Sequence, residues 1–282
     1  MNVISPEAAS LAAHLRPLGS ADWLCEGNAF DVPLQVDAES ARTFAREAAQ
    51  GMTADINVVP HAQRRKKLLA ADMESTIIDC ECVDELAAIA GAGEKVAAIT
   101  ERVMRGEIAF APALRERVAL LKGLPVSVLQ RVYDDYVRFN PGAKALVATM
   151  RAHGAETLLL SGGFTWFTER VAREAGFDMN RANVLLDDGE NLLGTVQEPI
   201  LGREAKLEAL ERAAAVRGIP LSETLAVGDG ANDVAMVQRA GLGVAWHAKP
   251  VLANAAATCV NHADLTALLY LQGYRKAEIV AA

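Results

Sequence analysis

Short apolar runs alternate with amphipathic stretches along most of the chain. Three of the runs, "LLAA" at 68–71, "TLLL" at 157–160 and "TLAV" at 224–227, have the length of buried strands. The second and third are each followed by a stretch with apolar residues three and four apart, a spacing typical of helices. This alternation predicts an α/β fold with a parallel sheet and helices on both faces.

The same pattern continues toward the C-terminus. "LGVAW" at 242–246 and "ATCVN" at 257–261 predict two further short strands. "ANVLLDDGENLLGTVQ" at 182–197 predicts a β-hairpin that turns at Asp188-Gly189.

Four helical patterns lie between the first apolar run and the second. They are separated by glycines and Pro125, and they occupy 83–91, 93–106, 111–123 and 126–139. The segment from Asp72 to Ser161 is much longer than a crossover between parallel strands requires. We therefore predict a helical bundle, at about 80–140, that is inserted between two strands and lies above the sheet.

The first 65 residues follow a different pattern. "SARTFAREAAQ" at 40–50 predicts a helix, and "FDVPLQV" at 30–36 and "ADINVVP" at 54–60 resemble short strands. We predict a small α+β module over 1–65 and a larger domain over 66–282. The basic "RRKK" at 64–67 could be a nucleic-acid patch, but in an acidic chain we interpret it as a solvated linker.

Composition narrows the range of partners. The 282 residues are 51% hydrophobic, and the formal net charge of −8 disfavours non-specific binding to nucleic acid or membrane surfaces. No apolar run approaches the ~18 residues of a membrane span, and the N-terminus lacks a secretory pattern. The four cysteines, including Cys80-Glu81-Cys82, show no zinc spacing. We expect a cytoplasmic protein, and a homodimer is compatible with the sequence.

Polar groups follow each of the three apolar runs. Asp72 and Glu74 follow the first run, Ser161-Gly162-Gly163 follows the second, and "GDGAND" at 228–233 follows the third. Ligands of open α/β sheets lie beyond the carboxyl ends of the strands, so we expect these groups to share one crevice.

Crowded carboxylates in such a crevice need a positive partner. Asp72, Glu74, Asp229 and Asp233 would repel one another unless a cation offset them, and Mg²⁺ prefers such ligands. Each group alone has a structural explanation, because acids often cap helices and Gly-Gly often forms a turn. Lys206 by itself would be interpreted as a solvated lysine on a helix surface, unless a phosphoryl group nearby needs a fixed cation.

These residues resemble the motifs of the haloacid dehalogenase (HAD) superfamily, and in particular its phosphoserine phosphatases. "DMEST" at 72–76 is similar to the family's Asp-x-Asp-x-Thr, and "SGGF" at 161–164, Lys206 and "VGDGANDVAM" at 227–236 follow in family order. "ECVDELA" and "LRERVALLKGLP" resemble the phosphoserine branch. The resemblance covers about 66–270 and implies a Rossmann-like HAD core, with the helical bundle as its inserted cap.

One position departs from the family pattern. Glu74 stands where the family has a second Asp, which adds a methylene to the side chain. A displacement of about 1 Å can cost on the order of 100-fold in rate. We expect a working site, because every other motif is present.

The resemblance implies hydrolysis of O-phospho-L-serine to L-serine and phosphate, the last step of serine biosynthesis. Asp72 would be the nucleophile and form an aspartyl-phosphate, and Glu74 would act as general acid and then general base. The implied Mg²⁺ ligands are Asp72, Asp229 and the backbone carbonyl of Glu74. Asp233 would orient a metal-bound water or Lys206.

The resemblance also implies a set of substrate contacts. The phosphate oxygens would be held by Ser161, the Gly162 amide, Asn232 and Lys206. Glu81 would meet the substrate ammonium and Arg117 its carboxylate, with Met104 and Phe110 lining the pocket. Without the resemblance, the first two would be helix-surface charges and the last two would be core residues of the cap.

Two other functions are compatible with these residues. A phosphotransferase would pass the phosphoryl group from Asp72 to another small alcohol instead of water. A non-catalytic amino-acid or phosphate sensor would explain Glu74 as a sign of lost activity, but it would not need Lys206 and Asp229 in family positions.

Overall fold

The computed structural model describes residues 1–104 and 107–281. The N-terminal part is a four-stranded antiparallel sheet with two helices, in strand order β2-β3-β1-β4. Its elements are β1 (Asn2–Ile4), α1 (Ala8–His14), β2 (Asp22–Cys25), β3 (Ala29–Asp31), α2 (Ala38–Ala48) and β4 (Asp55–Asn57).

The next strand leads directly into four helices. They follow β5 (Leu68–Asp72) and are α3 (Cys82–Ile89), α4 (Gly93–Met104), α5 (Phe110–Ala119) and α6 (Ser127–Tyr136), together called the cap. Both ends of the cap meet beside the sheet: Ile78 forms an antiparallel bridge with Phe139, and Asn140 donates hydrogen bonds to the carbonyls of Thr76 and Ile77.

The rest of the chain alternates between strands and helices. Its elements are α7 (Ala143–Ala152), β6 (Glu156–Phe164), α8 (Thr165–Ala175), β7 (Met179–Asn183), β8 (Leu185–Asp187), β9 (Leu192–Val196), α9 (Arg203–Arg217), β10 (Thr224–Gly228), α10 (Val234–Arg239), β11 (Leu242–Trp246), α11 (Pro250–Ala253), β12 (Thr258–Val260) and α12 (Ala267–Leu271). Six strands form one sheet in the order β12-β11-β10-β5-β6-β7, and every pairing in it is parallel. The strands β8 and β9 form the predicted hairpin.

The central strand is buried on both faces. Every residue of β5 is buried, and successive side chains point to opposite faces of a strand. Leu69 and Ala71 pack in the larger apolar cluster, whereas Leu68 and Ala70 pack in a second cluster with Leu210 of α9. This explains why the strand reads as an uninterrupted apolar run rather than an alternating one.

The structure confirms the predicted fold class: a parallel α/β core, an inserted helical cap and a small N-terminal α+β module. The boundaries at 65 and 66 and at about 80–140 stay predictions. Within the described residues, no helix combines the length and the apolar character needed to cross a bilayer.

The basic cluster at 64–67 differs from the solvated linker that the sequence predicts. The side chain of Arg64 is only 13% exposed and forms a bidentate pair with Asp31 of β3. Arg64 also donates from Nε to the carbonyl of Leu271 and from Nη2 to that of Tyr270, at 2.5 and 2.9 Å. The linker interpretation is therefore wrong for Arg64, which joins the N-terminal sheet to the C-terminal helix of the core.

We expect Arg64→Ala to lower the free energy of unfolding by roughly 2 kcal/mol or more. The change removes the guanidinium from the Leu271 carbonyl, and it leaves Asp31 and the Tyr270 carbonyl with the Asn2 amide but without their charged donor, in a largely buried place. Urea denaturation followed by circular dichroism measures the loss.

Arg275→Ala is a matched control. Arg275 pairs with both carboxylate oxygens of Asp22 across the same junction, through Nη2 alone, and both side chains are 53% exposed. Solvent-exposed pairs contribute little, so its loss should be clearly smaller. Equal losses for the two variants would contradict the role assigned to Arg64.

Candidate active site

Three strand ends form one crevice in the middle of the sheet. β5 lies between β10 and β6, with Ala71 opposite Val227 and Asp72 opposite Leu160. Asp72, Ser161 and Asp229 therefore leave the sheet at the same edge. The predicted convergence of the three polar segments is observed.

Three carboxylates meet at this edge. Asp72, Asp229 and Asp233 are all buried, and one oxygen from each lies within 4.8 Å of the others. Gly228 makes room for this arrangement, because a methyl group at that position would lie 2.3 Å from Cγ of Asp233. The glycine before Asp229 is thus a steric requirement of the cluster.

Lys206 of α9 supplies a positive charge inside the cluster. Its side chain is buried, and its Nζ lies 2.7 Å from Oδ1 of both Asp72 and Asp233. Burial opposes a charge on Lys206, but the two carboxylates outweigh it and raise the pKa of the ammonium. The sequence alone favoured a surface position for this lysine, and the structure places it at the centre of the site.

The cluster fits a divalent cation. Burial raises the pKa of Asp72 well above its usual range, and the charge of Asp233 raises it further in spite of Lys206. Burial also raises the pKa of Asp229. A hard cation would favour ionised forms of these groups, and carboxylate oxygens are the ligands it prefers.

Glu74 lies beside the cluster and is held at both carboxylate oxygens. Its Oε1 accepts a hydrogen bond from the backbone N–H of Cys82 at 3.0 Å, and its Oε2 accepts one from Oγ of Ser161 at 2.8 Å. Gly163 leaves the space for this longer side chain, since a methyl group there would lie 2.7 Å from Oε2. Burial raises the pKa of Glu74, and these two hydrogen bonds oppose the rise.

The turn after β5 brings Glu81 close to Glu74. Ser75 has φ of 54°, a value that is uncommon outside glycine. Its Oγ donates to Oε1 of Glu81 at 2.8 Å. Burial, and then the nearby charge of Glu74, raises the pKa of Glu81 to about 7.

The cap brings Arg117 and Phe110 toward the same crevice. Arg117, in the last turn of α5, has a buried Nε that finds no hydrogen-bond partner among the described residues. Burial raises the pKa of Glu74, and the nearby charge of Arg117 opposes that rise. Phe110 covers Gly162, since its Cζ lies 3.0 Å from where a methyl group on Gly162 would be. The side chain of Met104, also predicted to line the pocket, lies outside the described residues.

Asn232 is half-buried and lies in the turn Ala231–Asp233, which begins two residues after Asp229. The carboxylate cluster does not include the Glu74 side chain, and the role predicted for the Glu74 backbone carbonyl stays a prediction.

Lys249 is a residue of this site that the sequence reasoning missed. Its Nζ lies 3.1 Å from Oδ2 of Asp229, and its backbone N–H donates to the carbonyl of Asp229 at 2.8 Å. Burial opposes its charge, but the Asp229 carboxylate outweighs it and raises the pKa of Lys249. The available signal was its place just beyond β11, the strand next to β10.

Comparisons with known proteins agree with this geometry. The family model described as haloacid dehalogenase-like hydrolase matches residues 69–238. A phosphoserine phosphatase from Archaeoglobus fulgidus is 42% identical over 236 residues, which are 83% of this chain and 68% of that protein.

Two solved structures resemble different extents of the chain. A HAD family hydrolase from Salmonella enterica serovar Typhi is 29% identical with a TM-score of 0.85, covering 96% of this chain and 97% of its own. A structure described as a phospho-aspartyl intermediate analogue of phosphoserine phosphatase is 38% identical with a TM-score of 0.68, covering 75% of this chain and 100% of its own. The chain belongs to the haloacid dehalogenase-like hydrolase family.

Proposed function

We propose that this chain is a phosphoserine phosphatase, which hydrolyses O-phospho-L-serine to L-serine and phosphate as the last step of serine biosynthesis. The observation that carries the proposal is the buried cluster of Asp72, Asp229 and Asp233 around Lys206. The 42% identity to a phosphoserine phosphatase supports the substrate.

The cation in this proposal is Mg²⁺. Asp72, Asp229 and the backbone carbonyl of Glu74 would hold it, with Asp233 orienting a bound water or Lys206. When bound, the ion offsets the charge of the crowded carboxylates and of the substrate phosphate.

The reaction has two displacements at phosphorus. A carboxylate oxygen of Asp72 attacks the phosphorus, the bond from phosphorus to the serine oxygen breaks, and Glu74 gives its proton to that oxygen. Water then attacks the same phosphorus, Glu74 takes a proton from it, and the bond to Asp72 breaks to release phosphate. The raised pKa of Glu74 suits the first step, because a general acid must begin protonated.

The phosphate oxygens are held by donors around Asp72. Lys206 provides a fixed positive charge 2.7 Å from Asp72, and the Ser161 hydroxyl, the Gly162 amide and Asn232 provide hydrogen bonds. Positioning and charge neutralisation account for most of the catalysis of phosphoryl transfer.

The cap selects the substrate in this proposal. Glu81 receives the ammonium, and Arg117, whose Nε is buried without a partner among the described residues, receives the carboxylate. Phe110 lines the pocket, and the same role for Met104 stays a prediction. A buried guanidinium nitrogen without a partner is costly, which supports a ligand at that place.

A cytoplasmic location and a homodimer complete the proposal and stay predictions. Gel filtration with light scattering would test the dimer.

We expect Asp72→Asn to abolish phosphate release from O-phospho-L-serine, with a fall in kcat of ~10⁴-fold or more, because the nucleophile is lost. Phosphate release is measured with and without Mg²⁺, and removal of the ion by a chelator should abolish release by the unmodified chain. Asp134→Asn, on the exposed face of α6, is the matched control and should retain activity. Equal release by the chain and Asp72→Asn would remove the nucleophile assignment.

We expect Glu74→Gln to lower kcat by about 10²- to 10⁴-fold, because the amide keeps the shape but cannot exchange a proton. A substrate with a better leaving group, p-nitrophenyl phosphate, needs less protonation in the first step. Rapid-mixing measurements of p-nitrophenol release should therefore show a smaller fall in the rate constant of the first step. An equal fall in this rate constant for both substrates would argue against general acid catalysis by Glu74.

We expect kcat/KM for O-phospho-L-serine to rise as pH increases through about 7, because Glu81 must be ionised to bind the ammonium and its pKa is about 7. Below this pH the carboxyl is neutral and the attraction is lost.

The control for this effect is an analogue of the substrate without the amino group. Its phosphate titrates in the same way, so the ratio of the two kcat/KM profiles isolates Glu81. The rise in the ratio should vanish in Glu81→Gln. A ratio that stays flat in the unmodified chain would contradict the role of Glu81.

A further inference from the structure

The N-terminal module reaches the core through a buried carboxylate. Asp55 of β4 is 2% exposed and accepts three backbone hydrogen bonds from the segment after β12. The donors are the N–H groups of Asn261, His262 and Ala263, at 2.7, 3.1 and 2.9 Å. Asp55 therefore fixes the conformation of a core segment from outside the core.

That segment in turn holds the end of β11. The carbonyl of Ala263 lies 3.2 Å from Nε1 of Trp246, which donates to it, and 3.1 Å from Nε2 of His247. The N–H of His247 donates to the carbonyl of Val260 at 2.8 Å. His247 has φ of 44°, so the chain turns sharply here and depends on these contacts to keep its direction.

The turn at His247 places Lys249 against the carboxylate cluster. Lys249 contacts Asp229 twice, through its backbone N–H at 2.8 Å and through its Nζ at 3.1 Å from Oδ2. The side chain of Lys249 is half-exposed, so the backbone contact is the better shielded of the two. A continuous series of contacts thus joins Asp55 of the module to Asp229 of the site.

We propose that Asp55 is a positioning residue for the divalent-cation site: by fixing the segment 261–263 it holds His247 and Lys249, and through them Asp229. The inference rests on the cation site of the proposed function. The N-terminal module would then contribute to the reaction through a residue that lies outside the sequence motifs of the core.

The test measures Mn²⁺ binding directly, without substrate, from the electron paramagnetic resonance signal of the free ion. Asp55→Asn keeps the size of the side chain but loses the charge that holds three N–H groups. We expect the dissociation constant for Mn²⁺ to rise by roughly 2- to 30-fold, the range of coupling seen through packed contacts.

Asp31→Asn is the matched control. Asp31 also lies in the N-terminal sheet and also joins it to the core, but through Arg64 and the carbonyls of Tyr270 and Leu271. Both variants should lower the melting temperature, whereas only Asp55→Asn should weaken Mn²⁺ binding.

A second variant keeps the test decisive if Asp55→Asn does not fold. His247→Asn removes the ring contact to Ala263 but keeps a residue type that tolerates positive φ. His247→Asn should also raise the dissociation constant for Mn²⁺.

Three results would overturn or redirect the inference. Equal Mn²⁺ affinity in Asp55→Asn and Asp31→Asn would overturn it, since Asp55 would then be only structural. Tighter binding would also overturn it, because Lys249 would then act on the cation by charge alone. No Mn²⁺ binding by the unmodified chain would instead refute the cation site of the proposed function.

Discussion

The contact of the Lys206 ammonium with Asp72 and Asp233 is the interaction on which the site depends. Both carboxylates and the ammonium are buried, and removing a charge from water is costly unless a partner compensates it. Lys206 and the half-exposed Lys249, which pairs with Asp229, cannot together neutralise three carboxylates. Burial, and then the charge of Asp233, raises the pKa of Asp72, and a divalent cation would offset this crowding of negative charge. With that cation and Lys206 in place, the crevice would attract a phosphate. Helix α9 and strand β10 must therefore be positioned accurately before any chemistry is available.

The parts around this cluster contribute different things. The core sheet supplies the reacting groups from adjacent strand ends. The two ends of the cap meet next to Asn140. The cap supplies Phe110, which covers Gly162, and Arg117, which lies near Glu74. Among the described residues, the N-terminal module contributes no side chain to the crevice. Its strand β4 is hydrogen-bonded to the segment 261–263 after β12. If both proposals hold, phosphate binding, selection of the organic part of the substrate and support of the cation site belong to separate structural units.

Much of this arrangement could be predicted from the sequence because it depends on local patterns. Apolar runs gave the positions of β5, β6 and β10, and the polar residues after them marked the crevice. Strand β7 was missed because "MNRAN" contains no apolar run, and it is a strand through its pairing with β6. The burial of Lys206 and of Arg64 could not be predicted, since both depend on distant segments that cover an otherwise ordinary charged residue. The same holds for Lys249, which belongs to the site only through its contact with Asp229 at the end of the neighbouring strand.

The contact between Gly163 and Glu74 has a consequence for how this sequence can diverge. The two positions are far apart along the chain, yet the oxygen of one fills the space that the other leaves by having no side chain. A lineage that keeps the longer acid can accept alanine at 163 only if the Glu74 carboxylate moves away from its hydrogen bonds to Cys82 and Ser161. A lineage that shortens the acid would relax that restriction. The substitutions accepted at either position therefore depend on which change came first.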